Sequence, residues 1–120
     1  MLILIVDDDE DQRGLRAMLL SRNGFNAIEA GDKQSAEQLA RLHGPDAAIV
    51  DLRLPTVEDG LELIGQLKSL NAQMRLIVLT GMPREKVRSL PGADLIDELL
   101  VKPTSTIKLV RVLRSLAPAS

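Results

Sequence analysis

Four apolar runs in this chain each end on a polar residue: Ile5-Val6-Asp7, Ile49-Val50-Asp51, Val78-Leu79-Thr80 and Leu100-Val101-Lys102, with Asp8 directly after Asp7. The set amounts to three carboxylates, a hydroxyl and an ammonium. Carboxylates brought close together repel one another and stay ionised only if a cation joins them. Lys102 can neutralise one of them but not all. An all-oxygen pocket without His or Cys suits a hard cation, and Mg²⁺ typically takes one or two carboxylates, several waters and a phosphate oxygen. A metal, a lysine and a hydroxyl are together complementary to a phosphoryl group in transfer, whose charge spreads over three equatorial oxygens. A carboxylate at the centre is then placed to attack phosphorus. If the strand bearing Asp51 is the middle one, that carboxylate is Asp51.

The elements that must position these residues follow from the pattern of short apolar runs between longer amphipathic stretches. Strands are predicted over 2–6, 25–30, 47–50, 76–79 and 99–101. Helices are predicted over 10–22, 33–43, 61–70, 84–90 and 105–116, the first with Leu15, Met18 and Leu19 at helical spacing. Asn23-Gly24 and Gly44-Pro45 stop the first two helices, and Asp32 is placed to cap the second. Alternating strands and helices with short connections give parallel strands joined by right-handed crossovers. Near-continuous apolar strands imply a sheet covered on both faces. The expected fold class is therefore α/β, a doubly wound parallel sheet with five strands, whose functional crevice lies at the carboxyl ends of the strands. All four polar run-ends sit on that edge.

Composition narrows the function classes. At 120 residues the chain is one domain, 1–120, and its only aromatic is Phe25. Base stacking on exposed rings is disfavoured, and a net charge of -2 supplies no basic patch for phosphate backbones, so no direct nucleic-acid contact is expected. The absence of cysteine removes disulfides and thiolate metal sites and fits a reducing, cytoplasmic setting. Leu2 to Val6 is far too short to span a bilayer, so no membrane role is expected. The terminal APAS has linker-like composition, and both a stand-alone protein and one domain of a longer regulator or hybrid kinase fit the chain.

The fragments IVDD, IVDLRLP, VLTG and VKP, in order and along essentially the whole chain, resemble the receiver domain of two-component response regulators. The resemblance implies a flavodoxin-like (βα)5 three-layer sandwich with strand order 2-1-3-4-5, which sets Asp7 and Asp8 beside Asp51. It implies that Asp51 accepts a phosphoryl group from a phosphohistidine on a sensor histidine kinase or histidine phosphotransfer protein. Asp8, Asp51 and the backbone carbonyl of Arg53 would bind Mg²⁺ directly, and Asp7 through water. Thr80 would hydrogen-bond the bound phosphoryl, Lys102 would pair with one of its oxygens, and the Lys102-Pro103 peptide would be cis. Such a domain is not an enzyme acting on an external substrate; it phosphorylates and dephosphorylates itself and signals by conformational change. A homodimer through the fourth helix, fifth strand and fifth helix is an expected assembly, and Gln12, Arg13 and Leu15 are candidates for kinase docking. Arg53 and Glu58 are candidates for tuning the lifetime of the acyl phosphate.

Simpler roles compete for some of these residues. Asp9 is better read as a helix N-cap than as a ligand, whereas convergence with Asp51 favours the metal role for Asp7 and Asp8. His43 suits the last turn of a helix better than phosphate donation. Asp7-x-Asp9, Thr80 and Lys102 also resemble haloacid dehalogenase-like phosphatases, with Asp7 as nucleophile and Asp9 as acid/base, but that reading leaves Asp51 unexplained. A degenerate receiver serving only as a docking or dimerisation module is kept open by four departures. One extra residue lies between Pro55 and Gly60; Leu99 stands where an aromatic is frequent; Gly92-Ala93-Asp94 lies unusually far from Lys102; and Thr104 follows Pro103 where Phe is frequent.

Overall fold

The structure is a computed structural model that describes residues 1–116; the APAS stretch lies outside the described residues. Strands β1 (Leu2–Val6), β2 (Asn26–Ala30), β3 (Ala47–Asp51), β4 (Arg75–Thr80) and β5 (Glu98–Val101) alternate with α1 (Glu10–Arg22), α2 (Lys33–His43), α3 (Val57–Leu70), α4 (Arg84–Arg88) and α5 (Thr106–Leu116). All neighbours pair in parallel, in the order β2-β1-β3-β4-β5. The sheet is a doubly wound, flavodoxin-like α/β sheet, as the sequence implies.

Side chains alternate across each strand, so the two faces read directly from residue parity. Leu4, Val6, Ala48, Val50, Leu76 and Val78 face α2, α3 and α4 with Ala36, Leu63, Ile64, Leu67 and Val87. Ile3, Ile5, Ile49, Ile77 and Leu79 face α1 and α5 with Leu20, Phe25, Leu109 and Leu113. These are the three layers. With one aromatic in the chain, the cores are built from branched aliphatics, each worth about 1.5–3 kcal/mol when removed from water.

Most element ends fall within a residue or two of expectation, the usual ambiguity of a fraying terminus. Two differences have physical causes. First, α3 begins at Val57 rather than at Leu61, because Thr56 caps it: its Oγ1 accepts from the Asp59 N–H at 3.2 Å and donates to Asp59 Oδ2 at 2.7 Å. Second, the inward face of α1 is not the stripe Leu15, Met18, Leu19. Leu15 and Met18 are exposed, while Ala17 and Leu20 are buried and Arg13 and Arg16 are half-buried beside them. The expected short fourth helix is five residues long, and a 3-10 turn over Ala93–Leu95 fills the segment before β5. Asp9 and Asp32 cap α1 and α2 through the Gln12 and Ser35 N–H groups, and His43 is the exposed last residue of α2.

Gly60 sits in the first turn of α3, after the loop that follows Asp51. A β-carbon there would lie 1.9 Å from the Leu52 carbonyl oxygen, so only glycine lets α3 seat on the backbone immediately after Asp51. Lys33 of α2 reaches across to Asp59 at 3.0 Å and Glu62 at 2.8 Å and ties α2 to the same corner. The Thr56 hydroxyl, and after it Lys33, hold the Asp59 carboxyl below the usual carboxylate range.

Two outcomes follow from this corner. Gly60→Ala should lower stability by about 2 kcal/mol or more in urea unfolding, because backbone rather than a flexible side chain must give way; a change below about 0.5 kcal/mol would mean that the contact relaxes freely. A carboxyl whose pKa falls on folding contributes stability above its unfolded pKa and loses it as pH drops through the lowered value. In an NMR pH titration Asp59 should therefore ionise at lower pH than an ordinary aspartate, and Thr56→Val should move it upward; an unmoved Asp59 would remove Thr56 as the cause.

Candidate functional site

Parallel register puts the strand ends on one line. Val6 stands opposite Val50, Val50 opposite Val78, and Thr80 opposite Val101, so each following polar residue emerges on the same edge. Asp7, Asp8, Asp51, Thr80 and Lys102 all line a single cleft, together with Arg53, Pro55, Val57, Gly81 and Met82. The structure thus brings together the three carboxylates, the hydroxyl and the ammonium at the strand ends.

Each group is held differently. Lys102 Nζ donates to Asp51 Oδ2 at 2.6 Å, and the Arg53 N–H reaches Asp51 Oδ1 at 3.2 Å. The Lys102 N–H donates to the Thr80 carbonyl at 2.6 Å, which ties the β5 exit to β4, and the following peptide to Pro103 is cis. The Leu54-Pro55 peptide is also cis, which the sequence did not foretell. Thr80 is almost fully buried, and its Oγ1 accepts from the Met82 N–H at 3.0 Å. Asp8 stands exposed at the rim, with no ion-pair partner among the described residues.

Asp7 departs from expectation. It is 1% exposed, and both of its carboxylate oxygens are engaged: Oδ1 by the Asp9 N–H at 2.9 Å and Oδ2 by Arg16 Nη1 at 3.2 Å. Its backbone carbonyl accepts from Arg13 Nη1 at 2.8 Å. The idea that only a metal and Lys102 hold these charges together therefore needs correcting, because Arg16 is a third cation. A buried nucleophile with both oxygens occupied also gives the phosphatase reading no support, and Asp9, its supposed acid/base, is spent on capping α1. Arg13, one of the suggested docking residues, is engaged by Asp7 and by Glu29 at 3.2 Å; Gln12 and Leu15 remain exposed. Arg53 lines the cleft, whereas Glu58 is exposed on the first turn of α3 and not among the residues lining it.

The donor chemistry fits Mg²⁺. Among the described residues, no three acidic, histidine or cysteine side chains gather tightly enough to hold a metal alone. Mg²⁺ does not require that, since it accepts one or two carboxylates and completes its octahedron with water and phosphate oxygen. Asp8 and Asp51 on one edge, with the loop backbone at Arg53 beside them, offer such a partial set. Leu99, at the position where the family often has an aromatic, is fully buried in the core cluster that also holds Val87, Ala93 and Ile96.

A family model described as the response regulator receiver domain matches residues 3–114. Response regulator MprA of Mycolicibacterium vanbaalenii is 34% identical over 116 residues, covering 95% of this chain and 49% of that protein. The autoinducer 1 sensor kinase/phosphatase LuxN of Vibrio campbellii is 32% identical over 111 residues, covering 92% of this chain and 13% of that protein. The chain thus spans half or less of these curated relatives. Among solved structures, response regulator TrrA of Thermotoga maritima in complex with Mg²⁺-BeF superposes with a TM-score of 0.85 at 26% identity, covering 97% of this chain and 98% of that one.

The Asp51–Lys102 pair can be weighed directly. In Mg²⁺-free buffer Lys102→Met should cost about 1 kcal/mol, a modest loss because the cleft is open to water. Adding Asp51→Asn should restore at least half of it, as read from urea midpoints in a double-mutant cycle. Strict additivity would show that the two charges do not interact.

Proposed function

The chain belongs to the response regulator receiver family, and from that premise we propose that it accepts a phosphoryl group on Asp51 from a phosphohistidine of a sensor histidine kinase or a histidine phosphotransfer protein, in a Mg²⁺-dependent reaction. The observation that carries this reading is the Lys102–Asp51 contact in a cleft that also holds Asp7, Asp8 and Thr80. In the transfer, an Asp51 carboxylate oxygen attacks phosphorus, the donor's N–P bond breaks, and an acyl phosphate forms. The imidazole nitrogen leaves with the bonding electron pair. Bound Mg²⁺ supplies charge neutralisation for the phosphoryl oxygens, and Asp8, Asp51 and the Arg53 carbonyl would hold it, with Asp7 acting through water.

The chain's own groups do the rest. Lys102 exchanges its hold on Asp51 Oδ2 for a phosphoryl oxygen, and the Thr80 hydroxyl turns from the Met82 N–H to another. For Lys102 one ion pair replaces another, whereas the Thr80 hydroxyl, which accepts from a neutral N–H, now donates to an anionic oxygen and so gains a charge-assisted bond. The domain acts only on itself, by self-phosphorylation and later hydrolysis of the acyl phosphate, in the cytoplasm, and signals through the Thr80 side of the sheet. Leu99 cannot turn an aromatic ring inward, so the switch works through Thr80 without that ring, with dimerisation through α4, β5 and α5 as its readout.

Incubation with Mg²⁺ and a small phosphodonor should add the mass of one phosphoryl group to the wild type and none to Asp51→Asn, as measured by intact mass spectrometry. Equal labelling of both would remove Asp51 as acceptor. No labelling of the wild type would leave the docking module as the better account.

A further inference from the structure

One cation beside the cleft has no part in the transfer chemistry. Arg16 lies on the inward face of α1 with Arg13, Ala17 and Leu20, positions spaced to share one side of a helix. Its side chain is 15% exposed, and its Nη1 is 3.2 Å from Asp7 Oδ2. Arg13 does not share that oxygen; it takes the Asp7 backbone carbonyl and Glu29 instead. Arg16 is therefore a dedicated partner for a nearly buried carboxylate.

This bears on metal binding in a definite direction. A divalent ion held by Asp8 and Asp51 would draw on Asp7 through water. With Arg16 on Oδ2 and the Asp9 N–H on Oδ1, the negative charge of Asp7 is already balanced by the protein. A fixed positive charge also stands behind it, where burial weakens screening. Resting on the receiver reading of Asp8 and Asp51, we propose that Arg16 is a positioning residue that holds Asp7 in place without metal and thereby lowers the affinity of the cleft for Mg²⁺.

The test is a titration with Mg²⁺ alone on the full chain, with no phosphodonor, followed by amide chemical shifts around Asp8 and Arg53. Arg16→Met should bind Mg²⁺ about tenfold more tightly than the wild type, a shift of the size expected when one nearby like charge is removed. Arg16→Lys, which keeps the charge, should stay close to the wild type. If Arg16→Met does not fold in metal-free buffer, the neutral Arg16→Gln takes its place with the same expected direction. Unchanged or weaker binding in the neutral variant overturns the proposal. Asp8→Asn separates this failure from a deeper one: a full Mg²⁺ response without the Asp8 carboxylate would overturn the reading of the site and this inference with it. Loss of response in Asp8→Asn, with no effect of Arg16, overturns this inference alone.

Discussion

Crowding like charge onto one edge of a parallel sheet is the condition around which the rest of the molecule is organised. Asp7 and Asp51 leave adjacent strands in register, so their repulsion comes with the topology. Each is answered from a different layer: Asp51 by Lys102 at the exit of β5, and Asp7 by Arg16 from the helix packed on one face. Lys102 lies 51 positions from Asp51, so that pair forms only once β5 has joined the sheet, whereas Arg16 lies 9 positions from Asp7 and needs only α1 packed on the end of β1. The charge cluster is thus compatible with the fold only because the tertiary structure delivers its counter-charges.

Much of this was legible beforehand. Strand ends were readable because a parallel sheet buried on both faces needs apolar runs, and the first polar residue after each run marks the functional edge. Asp51, Lys102 and Thr80 stand where that rule puts them, and Asp9 and Asp32 cap helices as their residue types favour. The strand order itself came from likeness to a known family, since no local signal in the chain chooses which strand is central.

What stayed hidden did so for a physical reason. The inward face of α1 was sought among its leucines and methionine, yet at the top of the helix the neighbour is the carbonyl and carboxylate of Asp7, and the residues that fit there are arginines. Periodicity of apolar residues is blind to a helix face that packs against polar atoms. Spacing could have revealed it, because Arg13, Arg16, Ala17 and Leu20 form one stripe once arginine is allowed on a core-facing side. The early start of α3 was missed because Thr56-Val57-Glu58-Asp59 reads as loop until its first and last members are seen to exchange hydrogen bonds.

The contact of Gly60 with the Leu52 carbonyl also divides the domain mechanically. On the α3 side of Asp51, helix and strand backbones touch with no side chain between them, and Lys33 braces that corner to α2. On the opposite side, beyond Thr80, come a five-residue helix and a single 3-10 turn, a much shorter regular frame than the 14-residue α3. A force applied at Asp51 meets a stiff wall on one flank and a compliant one on the other. The direction in which the domain can yield is therefore set by its frame before any partner arrives.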